Sequence, residues 1–149
     1  MDRHLIARQG PIRQNRRRMI LSRPLLHAAR RAAGVLFWPA LILVIWGELT
    51  PSPDTGWFFW IDRVSDKVLH FSAYFGLAAI AGFVIRARVP TIAAVTGLIL
   101  MGLVLEIVQG FVGRDMSGLD ALANTVGAVC GGGLAHTAAG LLRRRYPRA

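Results

Sequence analysis

The chain has 149 residues, 54% of them hydrophobic, and a formal net charge of +10. One domain fits that length, and so apolar and so basic a composition is awkward for a soluble domain but natural for membrane spans flanked by basic segments. Nucleic acid is excluded as a partner by the placement of the charge, since nine Arg precede residue 32 and four follow residue 142, on either side of the apolar stretches; anionic lipid headgroups are the expected partner.

In chain order, residues 1–31 read as a basic cytoplasmic tail and helix entry, with Arg16, Arg17 and Arg18 its densest run. Residues 1–22 are expected to be irregular and solvated, with Met19 as an alternative start, and a helix is expected from Pro24, after Ser22. The first span runs from Ala32 to Leu49, interrupted in character only by Pro39 and Glu48. Its length, and the lack of a small-residue cleavage site after it, argue against a signal peptide. Residues 50–65 form a loop in which Trp57, Phe58, Phe59 and Trp60 suit a membrane interface. The second span is Val68 to Ile85, the third Thr91 to about Val112, and the fourth Leu119 to Leu142, after a short loop at 113–118. Residues 143–149 are a second basic tail.

The predicted fold is therefore an all-α integral membrane protein, a four-transmembrane-helix bundle spanning 32–142. With both termini and the 86–90 loop inside, 15 basic residues are cytoplasmic, and only Arg63, Lys67 and Arg114 lie outside. Lysine and arginine bias of that kind sets an N-in/C-in orientation. Cys130, the lone cysteine, can form no internal disulfide and reads as a small buried hydrophobe.

Polar residues in or beside a span are costly, so their positions carry information. Asp66, Lys67 and His70 open the second helix, Glu106 and Gln109 end the third, Arg114 lies in the following loop, and Asp120 and Asn124 open the fourth. All belong to the outer third of the bundle. Asp66 and His70 share a face by their i,i+4 spacing, with Tyr74 one turn deeper, and Asp120 and Asn124 continue inward through Gly127 and Gly131. Small residues at that spacing predict a close helix contact.

Several of these groups also have a purely structural reading. Ser117 and Asp120 match a capping box, Asp66 suits a helix dipole, and Lys67 can snorkel to headgroups. Glu106 is different: in an apolar run it needs a partner, which His70 or Arg114 could supply. His70, Glu106 and Asp120 are the candidate catalytic groups; Asp66, Lys67, Gln109, Arg114 and Asn124 are candidate ligand-binding groups. One His and two carboxylates from three helices are a weak metal signal, and no zinc-helix motif, nucleophile elbow or phosphate loop is present. No metal and no cofactor are expected.

Leu49-Thr50-Pro51, then Asp66-Lys67-Val68-Leu69-His70-Phe71 with Tyr74, then Glu106 to Gln109, Gly113-Arg114, and Asp120 to Gly127 resemble the VanZ-like membrane protein family. The resemblance covers roughly residues 36–135, and the 113–117 loop is more compact than in many members. It implies a multi-pass protein of the bacterial cytoplasmic membrane, in a family whose namesake is associated with low-level teicoplanin resistance. It implies no established reaction. Three readings follow: recognition of a lipid-linked or cell-wall-related molecule by an outer-face polar pocket, a membrane enzyme using Glu106, His70 and Asp120 as acid and base, or a proton or ion pathway, which is disfavoured because the polar groups stop at the outer third.

Overall fold

The structure, a computed structural model, describes the backbone of residues 10–50, 65–85 and 87–145 and the side chains of 24–50, 65–85 and 87–141. The aromatic cluster at 57–60 and the basic tail beyond residue 145 lie outside the described residues. Four helices and no strands are present among them: α1 (Gly10–Leu49), α2 (Asp66–Ile85), α3 (Arg88–Gln109) and α4 (Gly118–Arg145).

Helix α1 begins well before the expected start, and residues 10–22 are helical rather than irregular. Pro11 supplies the φ of a first turn, and the Arg, Gln, Met and Leu residues that follow are good helix formers. Pro24 consequently lies inside the helix with Pro39, not at its beginning. Helix α3 ends three residues earlier than the apolar run. Gly113 takes φ +82, and the Arg114 N–H returns to the Gln109 carbonyl at 3.1 Å, which closes the helix end and releases Arg114 toward α1.

Three helical stretches are long and apolar enough to cross a membrane: Pro24–Leu49, Asp66–Ile85 and Arg88–Gln109. Their 26, 20 and 22 residues correspond to about 39, 30 and 33 Å at the α-helical rise. The outward faces are apolar: on α1, Trp38, Ile42 and Trp46 are 63%, 65% and 63% exposed, and Leu100, Val104 and Ile107 on α3 are likewise exposed. Water would penalise such a surface, whereas lipid would not.

Packing is closest between α2 and α4, while α1 lies against α2 and α3. A side chain at Gly127 or Gly131 would collide with the backbone carbonyls of Phe71 or Phe75 on α2, so the expected close contact is made backbone to backbone. Gly102 gives the Tyr74 ring its seat, since a Cβ there would stand 3.1 Å from the ring. Around Tyr74 the core is built from Leu77, Ala78, Leu98 and Ala128. Cys130, expected to be buried, is exposed on α4, because the tight glycine face turns it away from α2.

Candidate functional site

The C-terminal ends of α1 and α3 and the N-terminal ends of α2 and α4 meet at one end of the bundle. Glu48, His70, Glu106, Gln109, Asp120 and Asn124 are all buried there. Each helix contributes, so no single helix could assemble the cluster.

Glu48 sits in the last turn of α1 and is only 6% exposed. Its Oε2 accepts the Tyr74 hydroxyl at 3.3 Å, and its Oε1 lies 3.4 Å from His70 Nδ1. The same nitrogen is 3.0 Å from Asn124 Oδ1. Both neighbours are acceptors, so the ring hydrogen belongs on Nδ1 and Nε2 is left to face outward. There it lies 3.8 Å from Asp66 Oδ1, a carboxylate that is half exposed.

Arg114 is not a partner of Glu106. Its Nη1 donates to the carbonyls of Gly47, Glu48 and Thr50 at 3.0, 3.2 and 3.3 Å, and its Nη2 lies 3.8 Å from Asp66 Oδ2. Gln109 Nε2 donates to the Glu48 carbonyl at 3.0 Å. These two side chains satisfy the carbonyls that every helix C-terminus leaves open, and they tie the end of α1 to α2 and α3. The structure therefore assigns both a positioning role.

Glu106 has neither of its expected partners, because His70 is held by Glu48 and Asn124. Its Oε2 accepts the Ser117 backbone N–H at 3.0 Å, while Oε1 is buried without a hydrogen bond. The capping box is correspondingly divided. Ser117 Oγ accepts the Asp120 N–H at 3.3 Å, but the Ser117 N–H that would return to Asp120 goes to Glu106. That leaves the Asp120 carboxylate for the cluster, where Oδ1 lies 3.3 Å from Lys67 Nζ. Lys67, expected to snorkel, is half exposed and pairs inward.

The expected site residues thus gather at one level in distinct roles. Asp66, His70 and Asp120 bring potential ligand atoms within 4.8 Å of one another, and His70 and Asp120 are near enough to Glu106 to act on it electrostatically. Glu48 is the residue the sequence reading passed over. The signal was available: a carboxylate one turn from the end of an apolar span carries the same burial cost that singled out Glu106.

A bundle that is apolar outside and polar within at one end has the build of a multi-pass membrane protein. No protein-family model, no curated protein and no solved structure matches the chain.

Proposed function

We propose that the chain is a VanZ-like protein of the bacterial cytoplasmic membrane, a four-span N-in/C-in bundle whose polar cluster recognises a lipid-linked or cell-wall-related molecule on the extracytoplasmic side. The observation that carries this reading is the burial of polar groups from all four helices at one level, beneath half-exposed Asp66 and Lys67. Such groups are costly at membrane depth and mark functional sites there. Mixed charge at the rim suits a headgroup that carries phosphate and hydrogen-bonding sugar or peptide groups. The order and spacing of the VanZ-like motifs support the family reading.

Helix α4 as a fourth span is supported by its outer face, where Leu122, Val126, Val129 and Leu134 are exposed. Asp120, Asn124, Gly127 and Gly131, which lower its average hydropathy, are buried in the bundle and not offered to lipid. The 15-to-3 basic asymmetry supports the orientation. With Cys130 replaced by Ala, a membrane-impermeant thiol reagent applied from outside should modify a cysteine at Thr55 and spare one at Ala149. The opposite pattern would turn the cluster to the cytoplasm.

The second reading, a membrane enzyme, is favoured by His70, whose Nδ1 is held by Glu48 and Asn124 while Nε2 faces the rim. That is the arrangement of an oriented general base. One experiment addresses both readings. Lipids co-purifying with the wild-type protein should include an envelope lipid that His70→Ala loses and Glu106→Gln retains at reduced occupancy. An unaltered lipid profile in His70→Ala would remove the recognition reading; accumulation of an unconverted lipid in cells carrying Glu106→Gln would favour the enzyme.

A further inference from the structure

We propose that Asp66, His70 and Asp120 form a binding site for a divalent transition-metal ion at the mouth of the polar cluster, between α2 and α4. The three residues offer one imidazole nitrogen and two carboxylate oxygens, all within 4.8 Å of one another. Ligands on one ion stand about 3–4 Å apart, given metal–ligand bonds of about 2.0–2.2 Å. His70 and Asp120 are held in the buried wall, and Asp66, 52% exposed at its side chain, is free to close the remaining distance.

Three observations beyond this grouping point to a cation. The first is the presentation of His70. A metal-binding histidine is ordinarily oriented by a hydrogen bond from its other nitrogen to a carboxylate or carbonyl oxygen. Here Nδ1 meets Asn124 Oδ1 at 3.0 Å and Glu48 Oε1 at 3.4 Å, leaving Nε2 on the Asp66 side. The second is charge. Glu48, Asp66, Glu106 and Asp120 place four carboxylates in the cluster against the fixed cations of Lys67 and Arg114, and three of the four are no more than 6% exposed. Surplus negative charge at low dielectric is costly unless compensated, and one divalent ion compensates it. The third is lost hydrogen bonding. Glu106 is 3% exposed, yet its Oε1 has no hydrogen-bond partner, and Asp120 Oδ1 makes no hydrogen bond either, only the ion pair with Lys67.

Lys67 is the resident counter-ion of this site. Its ammonium lies 3.3 Å from Oδ1 of the Asp120 carboxylate, on a half-exposed, flexible stem that can withdraw to the headgroup level. Lysine and metal therefore compete. One imidazole with two carboxylates suits Mn²⁺ or Zn²⁺ better than Mg²⁺, which favours all-oxygen sites, or Cu⁺, which favours sulfur. What the ion does rests on the recognition reading above: with positions left open, it takes a phosphate oxygen of the bound headgroup.

The test needs no lipid, so its failure is separate from failure of that reading. Metal-stripped full-length protein, purified in detergent without a histidine tag, is titrated with Mn²⁺ and followed by electron paramagnetic resonance. One Mn²⁺ per chain is expected, displaced by Zn²⁺. Asp120→Asn and His70→Ala should each weaken binding at least tenfold, since loss of an outer-shell partner alone costs about 10–100-fold. Asp66→Asn, at a half-exposed position where folding is not at stake, should also weaken it. Lys67→Gln should tighten it several-fold, and His136→Ala, on the exposed far part of α4, should leave it unchanged. Absence of stoichiometric binding in both the wild type and Lys67→Gln overturns the proposal. So does binding that survives Asp66→Asn and Asp120→Asn, or that disappears with His136→Ala.

Discussion

Replacing Glu48 with Ala is expected to destabilise the bundle by about 3–5 kcal/mol, the range for removing one member of a buried charged pair. The reason is the number of groups that depend on this carboxylate. The Tyr74 hydroxyl donates to it and His70 Nδ1 lies 3.4 Å from it, and Tyr74 is fully buried at the centre of the core. With the carboxylate gone, the tyrosine hydroxyl loses its acceptor in a place water does not reach, and His70 keeps only Asn124. Glu48→Gln preserves an oxygen for the Tyr74 hydroxyl, and the expected loss falls to about 1–3 kcal/mol, the cost of leaving one buried polar group unsatisfied. Asp66→Asn is the contrast: half exposed and only loosely paired, it should change stability by less than about 1 kcal/mol. Thermal unfolding in a fixed detergent ranks the three. Equal melting of Glu48→Ala and wild type would mean that Glu48 does not anchor the cluster.

The second large effect is expected at the α2–α4 contact. Even a Cβ at Gly127 or Gly131 would overlap the Phe71 or Phe75 carbonyl oxygen, and a carbonyl in a helix cannot rotate aside as a side chain can. Ala at either position should cost about 1–3 kcal/mol, the usual scale of overpacking, and Leu more, because the helices must separate. That separation would also move Asn124 and Asp120 away from His70 and Lys67, so Gly131→Leu should damage the polar cluster from two turns away. Gly133 provides the control. A Cβ there meets nothing within 4 Å, and Gly133→Ala should be neutral or stabilising by up to about 1 kcal/mol through helix propensity. If Gly127→Leu and Gly131→Leu melt like the wild type, the contact does not carry the packing described here.

Much of the architecture could be read from the chain. Apolar runs long enough to cross a bilayer, ended by Arg86 and Arg88 or by Gly113, locate the helices to within a few residues, because burial in lipid demands length and apolarity and little else. The N-terminal boundary was less legible: residues 10–22 are polar and Arg-rich, which suits a solvated tail as well as the helix they form. The level of the polar groups was legible too. Asp66, His70, Glu106, Gln109, Arg114, Asp120 and Asn124 lie at matching ends of successive antiparallel helices, and alternating chain direction alone brings them to one end.

Their pairing was not legible. Glu106 as a partner of His70 or Arg114 was a reasonable expectation from depth, but depth says nothing about how far each helix is rotated about its axis. That rotation is set by contacts such as Gly127 and Gly131 on α2 and Tyr74 over Gly102, where shape rather than polarity decides which donor meets which acceptor. It sends Glu48 to His70, Arg114 to the end of α1, and Glu106 to the Ser117 backbone. The sequence by itself determined the helices and the end at which the costly groups gather, because hydrophobic length and chain direction act along one dimension. Only the tertiary structure decided the hydrogen-bond network, because its partners are fixed by close packing in three.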